Sequence, residues 1–308
     1  MSKIAFIYPG QGAQVPGMGQ DFYEKSSLSR AVFDQGSEAV NLDLKKLCFE
    51  KNDFLDKTEY TQVAMVTACL AMTRAVEAMG LHADMTAGLS LGEYCAIAVA
   101  EGMCDLDAIR TVRSRGIFME HAAPEGTGAM SAVLGLDGDV IEKVLEGRSG
   151  VSIANYTGPG QIVITGEKAA VEEAGAALKE AGARRVLPLK VSGPFHSPMM
   201  KSAGEELAKV FASVSMNPLK IPYVANINAE VVTDCSQIEN LLVQQVSGSV
   251  RWQQSVETMI REGVDIFVEI GPGKTLPGFL RKINKNVKSY HIGTWEEALA
   301  VCEELKTE

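Results

Sequence analysis

The chain has 308 residues, of which 46% are hydrophobic and 22% charged, so it can bury a large core in one or two globular domains. Its formal net charge of −10 argues against nucleic-acid binding, because phosphate recognition needs a cationic surface. The six cysteines show no C-x-x-C pair or metal-ligand spacing, and no apolar run is long enough to span a bilayer. The chain also begins with a strand pattern rather than a signal peptide. We therefore expect free thiols, no metal or bound cofactor, no membrane contact and a cytoplasmic location.

The first predicted strand covers residues 4–8, a short apolar run typical of a buried parallel strand. A glycine-rich turn follows at residues 9–14 and could present backbone N–H groups to an anion. Its glycines lack the G-x-G-x-x-G spacing, so the turn does not predict a dinucleotide site. Residues 61–79 then form a predicted apolar helix that ends at Gly80.

Residues 88–92 read Gly-Leu-Ser-Leu-Gly and lie between a strand-like run at 85–87 and a helix-forming run at 93–100. This pattern is typical of a nucleophile elbow, a sharp turn in which glycine at both flanks lets the chains pass closely. Ser90 would then stand at the N-terminal end of a helix, where backbone N–H groups can stabilise an anion. The pattern predicts Ser90 as a catalytic nucleophile.

The next predicted helix covers residues 106–120 and contains three arginines. Arginines on a helix usually lie on its solvated face and contribute little to stability. We expect this of Arg110 and Arg113.

From about residue 126 the predicted elements follow the order strand, helix, strand, strand, helix, strand, which is that of a ferredoxin-like unit. They cover residues 129–134, 139–145, 151–155, 161–165, 169–181 and 185–191. Gly158-Pro159-Gly160 between the two middle strands indicates a hairpin. The sequence therefore predicts an α/β fold in which a ferredoxin-like domain at residues 126–193 is inserted into a larger α/β domain, residues 1–125 and 194–308.

The larger domain resumes near residue 194 with a helix to about residue 213, strands at 221–227 and 264–270, and a surface helix at 294–308. The second strand leads into a glycine-rich stretch that superficially resembles a phosphate loop. Val268 occupies the position of the first Walker glycine, so the spacing fails and no nucleotide site is predicted.

A serine nucleophile needs a base, usually histidine, and the chain has four histidines. We interpret His82, His121 and His291 as structural residues. His196 follows a Gly-Pro turn where the chain re-enters the larger domain, and ligand clefts occur preferentially between domains. His196 is therefore the predicted base. No Asp or Glu stands conspicuously at a strand end between Ser90 and His196, so the orienting group could be a backbone or amide oxygen.

Five motifs together resemble the malonyl-CoA:acyl carrier protein transacylases of bacterial type II fatty-acid synthesis. They lie at residues 9–14, 88–94, 113–119, 194–197 and 269–274 and cover nearly the whole chain in the same order. The resemblance implies an α/β-hydrolase-like domain with a ferredoxin-like insertion. One departure is Leu89, where the family often has histidine before the nucleophile; this position is not that of the base.

The resemblance also implies roles for individual residues. Ser90 would be the nucleophile and His196 the base, oriented by the backbone carbonyl of Gln245. The backbone N–H groups of Gln11 and Leu91 would form the oxyanion hole.

The implied reaction is ping-pong transfer of malonyl from malonyl-CoA, through a malonyl-serine ester, to the phosphopantetheine thiol of acyl carrier protein. Arg115 would hold the free carboxylate of malonate, and Gln62, Met119 and Asn226 would line the pocket. We expect a monomer without cofactor. An acidic carrier needs local cations for docking, and the candidates are Arg184, Arg185, Lys190, Lys201 and Lys274.

Three alternatives stay open on the sequence. An esterase or thioesterase would use water as the acceptor, against which Arg115 and the inserted domain argue. A carrier-binding module without activity is disfavoured by the intact set of Ser90, His196 and Arg115. An acyltransferase that supplies a polyketide line would use the same residues, and the sequence separates it poorly.

Overall fold

The computed structural model describes residues 2–306 and has a mixed α/β fold with two β-sheets. In spatial order, the strands of the larger sheet are β10 (Lys288–Ile292), β9 (Val264–Ile270), β1 (Lys3–Tyr8), β2 (Met85–Gly88), β7 (Tyr223–Val224) and β8 (Val231–Val232). Neighbouring strands run parallel except at the edge, where β8 pairs antiparallel with β7. The central strands are almost wholly buried, as expected for parallel strands covered on both faces.

The helices that accompany the larger sheet come in two groups, one before and one after the smaller sheet in the sequence. They are α1 (Gln20–Lys25), α2 (Ser27–Val40), α3 (Leu44–Phe49), α4 (Thr58–Ala78), α5 (Gly92–Val99) and α6 (Asp105–His121), and after the second sheet α9 (Lys201–Phe211), α10 (Ile238–Ser247), α11 (Trp252–Arg261), α12 (Leu276–Ile283) and α13 (Trp295–Lys306). Helix α4 is apolar on nearly all sides and lies in the core. It packs closely on α6, because a Cβ at Gly116 would lie only 2.9 Å from the Thr58 backbone oxygen. This approach brings Arg115 of α6 against α4.

The smaller sheet lies between α6 and α9 in the sequence. Its strands are β3 (Gly128–Leu134), β4 (Val151–Gly158), β5 (Gln161–Glu167) and β6 (Arg185–Pro188), in the spatial order β4-β5-β3-β6 and all antiparallel. Helices α7 (Gly138–Leu145) and α8 (Lys168–Glu180) share an apolar core with the sheet. The predicted hairpin is confirmed, since β4 and β5 close at Gly158 and Gln161. The backbone of Val250 bonds to Ala154 and Tyr156 and so joins β4 to the rest of the molecule.

The prediction that Arg113 lies on a solvated face is wrong. Its Nη1 donates to the Glu59 backbone oxygen at 2.6 Å, and its guanidinium lies 4.8 Å from the centroid of the Tyr60 ring. The reason is the close packing of α4 and α6, which covers this part of the helix. Arg110 is exposed, as expected, and lies 3.6 Å from Asp107.

Two predicted strands are too long, and one helix is less exposed than expected. The strand predicted at 221–227 is reduced to β7, because the chain turns back after it through Ala229, whose φ is 58°. The strand predicted at 185–191 ends at Pro188, although the Leu189 backbone N–H still donates to the Met130 backbone oxygen at 2.9 Å. Helix α13 buries Ala298 and Cys302, so it is half-buried rather than a surface helix; residues 307 and 308 of that prediction lie outside the described residues.

None of the helices within residues 2–306 is long and apolar enough to cross a membrane. The cysteines are free thiols, as predicted: four are buried, Cys235 is half-buried and Cys104 is exposed.

Candidate active site

The turn between β2 and α5 holds Ser90 in the left-handed backbone region, with a φ of 53°. Such conformations are unfavourable for residues other than glycine and persist where the surrounding structure fixes them. A Cβ at Gly88 would lie 1.9 Å from the backbone carbon of Gly92, and a Cβ at Gly92 would lie 2.3 Å from the Tyr8 backbone oxygen. Neither position has room for a side chain. The strand-turn-helix geometry predicted for residues 88–92 is confirmed.

Ser90, His196 and the backbone of Gln245 form a continuous chain of hydrogen bonds. Ser90 Oγ lies 2.7 Å from His196 Nε2, and His196 Nδ1 lies 2.8 Å from the Gln245 backbone oxygen. Because a carbonyl oxygen only accepts, Nδ1 carries the proton of the neutral ring and Nε2 is left to accept from the hydroxyl. Burial and the nearby charge of Arg115 lower the pKa of His196 to about 4, so the ring is neutral at pH 7.

Asn226 supports the elbow from behind. Its Oδ1 accepts from the Ser90 backbone N–H at 2.6 Å, and its Nδ2 donates to the Gly88 backbone oxygen at 2.8 Å. The side chain therefore bridges both sides of the turn. The family resemblance assigned Asn226 to the pocket wall, whereas the structure places it behind Ser90, in contact with that residue but not itself lining the cavity.

Arg115 is 1% exposed and lies beside the nucleophile. Its Nη2 donates to Ser90 Oγ at 3.2 Å and to Gln245 Oε1 at 3.0 Å, and its Nη1 donates to Gln62 Oε1 at 2.8 Å. The guanidinium also lies 5.5 Å from the centroid of the Tyr94 ring. Burial lowers the pKa of Arg115 below its ordinary value. All of its hydrogen-bond partners are neutral, and the charge of Glu93 acts on it without a direct bond, so an anionic ligand could pair with the guanidinium directly.

The Gln245 side chain connects Arg115 to a buried carboxylate. Its Nε2 donates to Glu93 Oε2 at 2.7 Å and to the Ser90 backbone oxygen at 2.9 Å. Glu93 Oε2 also accepts from the Asn226 backbone N–H at 3.2 Å. Burial raises the pKa of Glu93 to about 7, although its two hydrogen bonds and the Arg115 charge oppose the shift.

A cavity of about 180 Å³ opens in front of Ser90. Its walls come from both sheets and their connections, and they consist of Gly10, Gln11, Gln62, Leu89, Ser90, Leu91, Arg115, Met119, Phe195 and His196 on one side, and Met130, Asn155, Val163, Leu189 and Val191 on the other. The ionisable side chains among these residues, Arg115 and His196, both belong to the first group. The cavity is narrow and mostly apolar apart from them.

Two backbone N–H groups at this cavity are free to bind an anion. Gln11 and Leu91 both line it, and neither N–H donates a hydrogen bond to any residue within 2–306. The turn of Gln11 is held against the elbow, since a Cβ at Gly10 would lie 2.7 Å from the Leu89 backbone oxygen. An oxyanion hole needs such unpaired N–H groups beside the reacting atom.

The predicted site residues thus converge on one place. Hydrogen bonds run from His196 through Ser90 and Arg115 to Gln62, and Gln62 Nε2 lies 3.5 Å from Met119 Sδ. Over the same residues, 2–306, no group of three His, Cys, Asp or Glu side chains could hold a metal ion.

Two features of the site were not predicted from the sequence. One is Glu93, which looks like an ordinary acidic residue in the first turn of α5. The other is the Gln245 side chain, since only its backbone carbonyl was assigned. A glutamate that directly follows the elbow inside an otherwise apolar helix was the available signal, because such a carboxylate must find buried partners.

Comparisons with known proteins agree with this site. Residues 5–300 match the family described as acyl transferase domain. The malonyl CoA-acyl carrier protein transacylase of Bacillus subtilis (strain 168) is 41% identical over 100% of this chain and 99% of the relative. The crystal structure of malonyl CoA-acyl carrier protein transacylase from Clostridium perfringens is 39% identical, with a TM-score of 0.96 over 99% of this chain and 98% of that one.

A second similar structure contains a type II PKS acyl-carrier protein in complex with its malonyl-transacylase. The matched chain is 36% identical, with a TM-score of 0.93 over 98% of this chain and 100% of that one. The family match and the alignments with the relatives cover nearly the whole chain rather than a single motif. The chain belongs to the acyl transferase domain family, is an acyltransferase, and lies within that family among the malonyl CoA-acyl carrier protein transacylases.

Proposed function

We propose that the protein transfers malonyl from malonyl-CoA to the phosphopantetheine thiol of an acyl carrier protein, and so supplies fatty-acid elongation. The observation that carries the proposal is the buried Arg115 guanidinium, whose Nη2 lies 3.2 Å from the nucleophile Ser90 Oγ. A fixed cation beside the acylated atom selects an acyl group that bears a carboxylate. The names of the relatives at about 40% identity support the same substrate and acceptor.

In the first half-reaction, Ser90 Oγ attacks the thioester carbonyl and gives its proton to His196 Nε2. The negative oxygen of the tetrahedral intermediate binds to the N–H groups of Gln11 and Leu91. The C–S bond then breaks, His196 returns the proton to the sulfur of coenzyme A, and malonyl stays on Ser90 as an ester. In the second half-reaction the carrier thiol attacks that ester by the same steps in reverse, and Ser90 recovers its proton.

The backbone carbonyl of Gln245 replaces the usual carboxylate in orienting His196. A thiolate leaves more readily than an amine, so this chemistry needs less help from a strongly basic histidine. Arg115 is one of the causes that lower the pKa of His196. When the carboxylate of malonyl pairs with Arg115, that charge is neutralised and the histidine becomes a better base while the correct substrate is bound.

The proposal includes an organisation of the fold. We infer an α/β-hydrolase-like domain at residues 1–125 and 194–308, with a ferredoxin-like domain at residues 126–193 inserted in it. The separate sheets, and the spatial order of the smaller one, support this division. The free cysteines favour the reducing conditions of the cytoplasm, and a monomer is our expectation for its assembly, to be measured by light scattering.

A second candidate is the supply of malonyl to a polyketide line. The similar structure with a type II PKS acyl-carrier protein favours it, because that transacylase matches this chain over its whole length. Both candidates share the donor and the chemistry and differ only in the carrier. Rates of transfer to a fatty-acid and to a polyketide carrier protein would separate them.

The test of the proposed function is a two-step transfer. The protein is incubated with malonyl-CoA, freed from excess donor and then mixed with holo carrier protein or with buffer alone. We expect a malonyl adduct that persists in buffer and moves to the carrier thiol within the mixing time. Absence of the adduct contradicts the proposal, and equally fast loss in buffer indicates a thioesterase instead.

A further inference from the structure

Gln245, like Ser90, bonds both to the base and to Arg115. Its backbone oxygen holds His196 Nδ1 at 2.8 Å, and its Oε1 accepts from Arg115 Nη2 at 3.0 Å. The side chain is fully buried, so no water is available to satisfy a misplaced amide. The direction in which this amide points therefore matters for substrate recognition.

The surroundings of the amide allow one orientation only. Arg115 is a donor and needs the amide oxygen, whereas Glu93 Oε2 and the Ser90 backbone oxygen are acceptors and need the amide NH₂. After a flip of the amide, its NH₂ would face a cation, and its oxygen would face both a carboxylate and a carbonyl. Glu93 supplies the shortest of these contacts, at 2.7 Å.

Glu93 itself is held in place by the same structure that forms the elbow. It is fully buried in the first turn of α5, three residues after Ser90, and also accepts from the Asn226 backbone N–H. It does not bond to Arg115. The cation is therefore oriented through an amide rather than paired with a carboxylate, which leaves its charge available for an acidic acyl group.

We propose that Glu93 is a positioning residue for malonyl selectivity: its Oε2 fixes the Gln245 amide so that Oε1 orients the Arg115 guanidinium toward the acyl site. Glu93 does not contact the reacting atoms. The inference rests on the proposed function, since it concerns how that function selects its substrate.

The test compares Glu93→Met with Glu93→Gln. Methionine removes the acceptor at similar volume, whereas the glutamine side chain keeps an oxygen that can accept from Gln245 and Asn226. We expect Glu93→Met to lower kcat/KM for malonyl-CoA roughly tenfold to hundredfold more than kcat/KM for acetyl-CoA, the range for a lost hydrogen bond to a charged group. Glu93→Gln should recover most of this selectivity.

A double-mutant cycle with Arg115→Ala decides whether Glu93 acts through Arg115. In the Arg115→Ala protein, Glu93→Met should leave the malonyl-to-acetyl ratio unchanged. Equal losses for both substrates in Glu93→Met, no recovery in Glu93→Gln, or an undiminished effect without Arg115 would each overturn the inference.

Two further controls keep the result interpretable. If Glu93→Met does not fold, Gln245→Met removes the same amide but keeps the backbone carbonyl, and it must show the same selective loss of malonyl transfer; a parallel loss overturns the inference. If the unmodified protein forms no malonyl-Ser90 at all, the proposed function fails as well, whereas unselective variants of an active transacylase contradict the role of Glu93 alone.

Discussion

The two sheets contribute to the cavity in different ways. The larger sheet, its helices and the connection at His196 provide every side chain with acid, base or charged character, and these are fixed by hydrogen bonds at 2.6–3.2 Å. The smaller sheet and the segment after it provide Met130, Val163, Leu189 and Val191, which are apolar, and Asn155. The difference indicates that chemistry and recognition belong to the larger sheet, whereas the smaller one excludes water from an ester that must wait for a thiol.

Ser90→Ala should have the largest effect within the larger sheet. We expect no malonyl adduct on the protein and no transfer, with an unchanged circular dichroism spectrum and melting temperature, because alanine fits the space of serine. Intact-protein mass spectrometry after incubation with malonyl-CoA measures this. A full adduct on the variant would remove Ser90 from its role and with it the assignment of chemistry to this region.

His196→Ala should reduce the acylation rate by roughly 10²–10⁴-fold, the usual contribution of a general base. Only the neutral ring accepts the serine proton, and its pKa is lowered to about 4. The base therefore stays active as the pH falls through 6.5 and is lost near pH 4. Stopped-flow acylation at malonyl-CoA concentrations far below KM, which reports the free enzyme, measures both effects between pH 3.5 and 8. An acid limb centred near 6.5 would contradict the described environment of His196.

Arg115→Ala should invert the preference between malonyl- and acetyl-CoA. Loss of a buried, hydrogen-bonded charge pair costs about 2–5 kcal/mol, which acetyl-CoA does not incur because it lacks the carboxylate. The ratio of kcat/KM values measures the change. Arg113→Ala is the matched control, since Arg113 lies on the same helix but contacts Glu59 and Tyr60 instead of the site. A parallel decrease for both substrates in Arg115→Ala would make this arginine a structural residue.

Leu189→Ala tests the contribution of the smaller sheet. Leu189 lines the cavity, whereas Leu187, two residues earlier, is similarly exposed but does not. We expect Leu189→Ala to hydrolyse the isolated malonyl-enzyme several-fold faster with little change in acylation, and Leu187→Ala to behave as the unmodified protein. The decay of the adduct in buffer measures this. Slower acylation with unchanged hydrolysis would assign chemistry to the smaller sheet after all.

The smallest effects should come from single cations at the surface. Lys201 and Lys274 are paired with Glu205 and Glu297, at 3.9 and 2.7 Å, whereas the other three docking candidates have no ion pair with any residue in 2–306. Exposed charges contribute about 0–1 kcal/mol each. Reversing Arg184, Arg185 or Lys190 to glutamate should weaken transfer to the carrier more than reversing the two paired lysines, and added salt should reduce the difference. Equal effects in both sets, or equal salt sensitivity of both half-reactions, would contradict docking through these cations.

Much of this arrangement could be predicted because it depends on short local patterns. The elbow needs glycine at residues 88 and 92 for steric reasons, and the G-x-S-x-G pattern reveals this requirement in the sequence. The hairpin at residues 158–160 has its own turn signal. The position of Arg115 beside Ser90 followed only from the family resemblance. Periodicity gave no reason to bury Arg115 or to half-bury Arg113, because both depend on how closely α4 and α6 approach.

The contacts that were missed are long-range. Glu93 and Gln245 are 152 residues apart, and their hydrogen bond connects two helices that share no local pattern. Asn226 was assigned to the pocket by the family resemblance, but the chain after the short β7 carries it behind Ser90. Such contacts result from the packing of whole elements, which a single sequence does not encode at any one position.

The most direct test of the division between the sheets is a crystal structure of the protein acylated with malonyl-CoA. The account predicts the malonyl carboxylate within hydrogen-bonding distance of the Arg115 guanidinium, and the ester carbonyl oxygen at about 2.7–3.1 Å from the N–H groups of Gln11 and Leu91. The smaller sheet should contact only the apolar part of the acyl group. A carboxylate that points to solvent or binds to the smaller sheet, away from Arg115, would contradict it.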